Sequence, residues 1–336
     1  MKRLAPIVLV VLLALMPLAA FAQGGPSPIC NGLSEADCAI LTGWQGNLAG
    51  VTSLTVPAWS LEFEFNMQPE ATAVVASGSA GFMWTGGAED FLVDLKVDSL
   101  SVTPTPTEPL PSSFEYVMNS TMGYVFYNGE WYGEAITADD LAEIQDLLNT
   151  IQGGGTGESM DLAELGIDLT GVVMTTRGAD ADSMGEPVAT FTSQLDLTKL
   201  LTAVLSSPMV AELVGSSMGE DASTPMTPEQ LQMVGAMFAP MLAGTTIAVE
   251  QWVGLNDGHL HKFVLDVALN IDASLIDPEI GKITGKVYFG IELANINQGF
   301  SMALPTSYRP MSELDAALGG ELEDLSGLGG SLFGGN

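Results

Sequence analysis

Two histidines and two cysteines are all that this chain holds of those residue types, and each pair is local. His259 and His261 follow the turn Asn256-Asp257-Gly258, two apart, so at strand spacing they share a face with Leu260 turned the other way. With Asp257 they could bind a metal weakly; a solvated outer face is the plainer reading. Cys30 and Cys38 bracket Asn-Gly-Leu-Ser-Glu-Ala-Asp. Two thiols without a histidine beside them are too few for a zinc site, so a local disulfide is the expectation. Asp180 and Asp182 in Gly178-Ala-Asp-Ala-Asp-Ser-Met-Gly185 hint at calcium, but the twelve-residue spacing with a closing glutamate is missing and a polar turn is the plainer reading. Gly153-Gly-Gly-Thr-Gly157 has neither the lysine nor the strand-to-helix setting of a phosphate loop. Glu62 and Glu64 fall on the wet side of a strand. Nothing here fixes an acid and a base around a substrate, so the expectation is a protein that is not an enzyme, with no catalytic residues, no cofactor and no metal.

The setting comes from the first 22 residues. Met1-Lys2-Arg3, an apolar run from Leu4 to Leu18 and Ala20-Phe21-Ala22 make a secretory signal peptide with cleavage before Gln23. A membrane anchor is the competing reading, against which stand the short run and its breaks at Pro6 and Pro17. Ser27-Pro28-Ile29 before Cys30 is a poor lipobox, so a soluble exported protein, not a lipoprotein, is expected. Its home would be a periplasm, a cell wall or the medium. No later apolar stretch is long enough to span a bilayer.

The chain of 336 residues carries 41 acids against nine Lys and Arg, a formal charge of −32. Beyond the signal the cations are Lys96, Arg177, Lys199, Lys262, Lys282, Lys286 and Arg309. Nucleic acid and anionic lipid surfaces would repel such a chain. Yet 47% of its residues are hydrophobic and only 15% are charged, which supports a sizeable core with the carboxylates on its outside.

Period-two alternation supplies the elements. Leu61, Phe63, Phe65 and Met67 alternate with polar neighbours, as do Phe91, Val93, Leu95 and Val97, then Val267, Leu269 and Ile271, then Val287, Phe289, Ile291 and Leu293. One-sided strands of this kind suit an antiparallel sheet. Asn128-Gly129 between Tyr124-Val-Phe-Tyr127 and Glu130-Trp-Tyr132 reads as a type I′ hairpin, and Asn256-Asp257-Gly258 as a second turn. The proline-rich stretch 103–111 reads as an exposed connection. Helices are expected after the cap Ser34, near 35–42, after Thr137 to about Ile151, after Asp196, and from Thr227-Pro-Glu-Gln230 through Met233, Met237, Phe238 and Met241. From Pro310 the chain changes again: Ser312 to Leu318 could form a short helix, and the glycines from Gly319 on make the rest a flexible acidic tail.

Several segments together resemble the LolA-like and LppX/LprG-like exported proteins. They are Met122-Gly-Tyr-Val-Phe-Tyr-Asn-Gly-Glu-Trp-Tyr132, the strand from Pro187 running through Leu195-Asp-Leu-Thr into a helix, Val249-Glu-Gln-Trp-Val-Gly-Leu-Asn-Asp-Gly-His-Leu-His-Lys262, and the closing Phe300-Ser-Met-Ala-Leu-Pro305. The resemblance covers roughly residues 60 to 305. It implies an α+β fold in which a strongly curved antiparallel sheet, a half-barrel, wraps around two or three helices and encloses a cavity for acyl chains. The LppX/LprG-like members are usually lipid-anchored through a cysteine at the cleavage site, which this chain lacks.

The expected layout is a signal peptide over 1–22, a disulfide-stapled N-terminal extension over 23–59, the curved-sheet domain over 60–309 and the tail over 310–336. The expected function is binding or carriage of a hydrophobic ligand such as an acyl lipid. Its lining would be drawn from the inward-reading Phe63, Phe65, Trp84, Tyr124, Met233, Met237, Phe238 and Met241. Methionines adapt to irregular contents, although the same residues could complete a closed core. An envelope or regulatory protein that uses the scaffold for contact with an unknown protein partner is the alternative, and a calcium-dependent structural protein is a third.

Overall fold

Among the described residues thirteen strands, most of them with alternating apolar positions, build one sheet. The structure, a computed structural model, describes residues 28–67, 70–84, 91–105, 111–138, 140–142, 171–207, 233, 235–236, 239–242, 244–272 and 281–317. The strands are β1 (Ser53–Met67), β2 (Glu70–Trp84), β3 (Phe91–Thr103), β4 (Phe114–Asn119), β5 (Met122–Tyr127), β6 (Glu130–Ala135), β7 (Val173–Arg177), β8 (Ala181–Ser183), β9 (Glu186–Leu195), β10 (Thr246–Gly254), β11 (Leu260–Asp272), β12 (Lys282–Ala294) and β13 (Arg309–Pro310). Their order is β13-β6-β5-β4-β3-β2-β1-β12-β11-β10-β9-β7, with β8 on β9. Every pair is antiparallel except β13 with β6. The sheet is open and curled. Bulges between Val56 and Trp59 of β1, between Ser77 and Gly78 of β2 and between Trp252 and Val253 of β10 bend it, because an extra residue on one strand sharpens the local twist.

The hairpin between β5 and β6 turns at Asn128 (φ 50°) and Gly129 (φ 85°), the two positive dihedrals that a type I′ turn requires. Among the described residues the α-helices α1 (Glu35–Asn47), α2 (Leu197–Leu205) and α3 (Met311–Ala317) accompany the sheet. Ser34 caps α1, accepting from the Asp37 amide at 3.2 Å, and Asp196 caps α2 through the Lys199 amide at 3.0 Å. Thr137 and Asp140 exchange the reciprocal bonds of a cap, and helix follows at 140–142. The rest of the helix expected to Ile151 lies outside the described residues, as do the signal peptide, the tail beyond 317, the glycine run at 153–157 and the start of the methionine helix at 227–232. Residues 239–242 are helical.

The N-terminal segment is part of the core. Cys30 and Cys38 form the disulfide, with Cα atoms 5.2 Å apart. On α1, Leu41 is 0% exposed and Trp44 is 1% exposed, in one apolar cluster with Trp59, Phe191, Phe263, Phe289 and Ile291. Each such side chain contributes about 1.5–3 kcal/mol by leaving water. Asn31 donates to the Val173 carbonyl at 2.9 Å and accepts from the Thr175 amide at 2.9 Å, tying the stapled turn to the edge strand β7. Asn47 donates to the Gly258 carbonyl at 2.8 Å at the other end of α1.

On the opposite, convex face the chain from 295 to 308 forms a strap. It starts at β1, where the Asn297 amide donates to the Ser53 carbonyl and the Gly299 amide to the Ser53 hydroxyl, both at 2.8 Å. It crosses a row that runs Gly81, Asp94, Val117, Tyr124, Gly133 over five strands. Phe300 lies against Gly81 and Tyr308 against Gly133; a Cβ at either glycine would come within 2.9 Å of those rings. Past Tyr308, Arg309 pairs with Glu130 and Glu313, and α3 then buries Met311 and Leu314 in the main core.

Candidate functional site

The concave face reads as three rows across six strands. The first is Trp59, Ile291, Phe263, Gln251 and Phe191; the second is Leu61, Phe289, Leu265, Val249, Ser193 and Thr175; the third is Phe63, Val287, Val267, Ile247, Leu195 and Val173. Burial falls from row to row. All of the first is buried, half of the second is, and in the third only Val173 remains so, while Phe63 is 39% exposed. Next along the strands, the ring of Phe65 lies beside Gly285, which faces Leu269 on β11.

A cavity of about 230 Å³ opens where the second and third rows pass beneath α1. Ile29 and Gln45 form its roof; Val173, Ser193, Leu195, Ile247, Val249, Gln251, Phe263 and Leu265 form its floor and wall. No charged side chain lines it. Its polar residues are uncharged: Gln45, Gln194, Gln251, and Ser193, whose hydroxyl pairs with that of Thr175 at 2.8 Å. The nearest cation in register, Arg177 opposite Phe191, is held by Asp37 of α1 (3.3 Å) and by Asp180, and lies over the Phe191 ring at 5.2 Å.

The nominated lining is dispersed. Phe63 and Phe65 stand on the concave face at its open end, and Trp84 is buried in the main cluster beside Phe91. Tyr124 points to the convex face instead, because Val125 and Tyr132 of the β5–β6 hairpin hold the concave side; it is buried edge-on beneath Tyr308 (5.3 Å). Met233 is 73% exposed and Met241 is buried. Met237 and Phe238 lie outside the described residues. None of the six described nominees lines the cavity. One strand that lines it, β10, did carry a signal: Ile247, Val249, Gln251 and Val253 alternate in the sequence, with one amide in an apolar series.

The candidate metal residues are occupied otherwise. His261 is the bulged residue opposite the Trp252–Val253 step and is buried, its Nε2 within 2.9 Å of Asp257 Oδ2, so the bulge places it inside and the solvated face expected for both histidines fails for this one. Asp180 pairs with Arg177, and Asp182 accepts from the Gly185 amide at 2.9 Å, a polar turn. Among the described residues no group of three or more His, Cys, Asp or Glu is placed to hold a metal ion, and no helix is long and apolar enough to cross a membrane.

Several carboxyl groups away from the cavity have shifted titration. Burial raises the Asp94 carboxyl above its usual range, with Lys96 opposing, and burial with the neighbouring charge of Asp94 raises Glu115. Hydrogen bonds from Arg309 and Tyr132 hold Glu130 below the usual range.

No family model matches the chain, and no curated protein matches it. Among solved structures it is similar to LprF from Mycobacterium bovis (14% identity, 84% of this chain and 100% of that one, TM-score 0.39). It is also similar to the lipoprotein LppX of Mycobacterium tuberculosis (10% identity, 80% of this chain and 100% of that one, TM-score 0.29). A third is lipovitellin (8% identity, 77% of this chain and 26% of that one, TM-score 0.30). LprF and LppX are of the LolA-like and LppX/LprG-like group that the sequence resembles. At such scores the overlap is loose.

Proposed function

We propose that this protein binds a hydrophobic ligand, such as an acyl lipid, on the concave face of its sheet outside the cytoplasm, and does no chemistry on it. The observation that carries the reading is the apolar cavity under α1, continuous with rows of half-exposed Ile247, Leu265, Val267 and Val287. Burying an acyl chain against them gains roughly 25 cal/mol per Å² of apolar surface removed from water. The Cys30–Cys38 disulfide fits an oxidising compartment.

A second reading has its own support. The cavity, about 230 Å³, is below the roughly 300–1,000 Å³ of most ligand pockets, which favours a scaffold used for protein contact. Native mass spectrometry of the purified protein, with titration of N-phenyl-1-naphthylamine, separates the two. The lipid reading expects co-purifying acyl lipid or saturable probe fluorescence that Val249→Trp, filling the cavity, removes. Neither lipid nor probe binding would leave the protein-contact reading.

A further inference from the structure

We propose that the ligand's anchoring end is an uncharged hydrogen-bonding head, an ester, amide or hydroxyl group, seated between Gln251 and Ser193. This deepens the hydrophobic-ligand reading and rests on it. Gln251 is 5% exposed and lines the cavity. A buried amide strongly favours a partner, and a donor and an acceptor on one side chain suit a neutral group better than an ion. Ser193 lies one strand over and two residues along the register from it, a diagonal separation of about 7–8 Å, wide enough for one small polar head between them. The Ser193–Thr175 pair has two O–H donors, of which their mutual bond uses one. The other is free to turn towards a guest.

Charge rules out the ionic alternatives. A carboxylate or phosphate placed here would meet no cation in the lining, and Arg177 is already shared by Asp37 and Asp180. Desolvating an unpaired ion costs far more than desolvating an ester. An alkyl ammonium would meet no carboxylate. The volume, about eight water-sized groups, holds a glyceryl-sized head and the first few carbons. The remaining tail would run along Ile247, Leu265 and Val267 towards the open end.

Displacement of N-phenyl-1-naphthylamine from the delipidated protein tests this at pH 8 with two ligands of equal chain length, 1-decanoylglycerol and decanoate. The neutral ester should displace the probe at concentrations at least about tenfold lower than the ionised acid. Gln251→Leu should weaken decanoylglycerol about five- to tenfold, one hydrogen bond's worth, while the probe still binds and so reports a folded protein. Ser193→Ala should act in the same direction with a smaller change. Decanoate binding as well as the ester, or an ester-to-acid ratio unmoved in both variants, overturns the neutral-head inference and leaves the hydrophobic-ligand reading in place. A probe that does not bind at all removes that reading, and this inference with it.

Discussion

The two ends of the concave face are made of the same residue types and do opposite things. At one end Trp59, Ile291, Phe263 and Phe191 are closed over by Leu41 and Trp44 of α1, and nothing of them meets solvent to speak of. At the other, Phe63, Phe65, Val267 and Val287 continue the same strands and the same alternation but stay half-exposed. What differs is the cover, so apolar alternation marks a face that can be buried, while the helix laid on it decides whether it is. The cavity sits at the boundary between the two regimes.

The largest effect should separate the ends outright. Trp44→Ala should lose about 3–5 kcal/mol in urea unfolding, the cost of a fully buried large side chain, whereas Phe63→Ala should lose less than about 1 kcal/mol because its ring is already partly in water. Equal losses would break the comparison. Next comes the staple. Reducing the disulfide, which closes a separation of 8 residues, should cost about 2–3 kcal/mol by freeing the unfolded chain. Since Ile29 lies beside that staple and lines the cavity, reduction should also weaken binding of an apolar probe, and an unchanged affinity would detach α1 from the site.

The smallest effect belongs to the convex side and serves as a control. Asp94 has a raised pKa in the folded state, so between the ordinary carboxylate value and the raised one the folded protein holds more protons, and stability falls as pH rises through that window. Asp94→Asn should therefore match the parent at low pH and gain on it towards pH 7, in urea midpoints, with probe binding unmoved. A deficit that grows with pH would show that the strap needs this charge.

Much of the sheet was legible from residues alone. The inward sets of β1, β3, β11 and β12 and the Asn128-Gly129 turn announce themselves by period and by dihedral demand, which are local properties. The site was less so. Tyr124 alternates correctly yet faces outward, because which face is concave depends on pairing across the whole sheet. The strap's role was hidden in Gly81 and Gly133, whose missing side chains acquire meaning only once Phe300 and Tyr308 arrive from far along the chain. His261 turned inward through a bulge that alternation does not foresee. The role of α1 as a roof depends on contacts more than a hundred residues apart, such as Asn31 with Val173.

The central claim, that the concave face under α1 receives an apolar guest, is tested most directly by photo-crosslinking with a diazirine-bearing alkyl ester and mapping the modified peptides. The geometry predicts adducts on Ile247, Val249 and Leu265, lost when excess unlabelled ester is added. Adducts confined to the convex strap, or none that the unlabelled ester displaces, would contradict it.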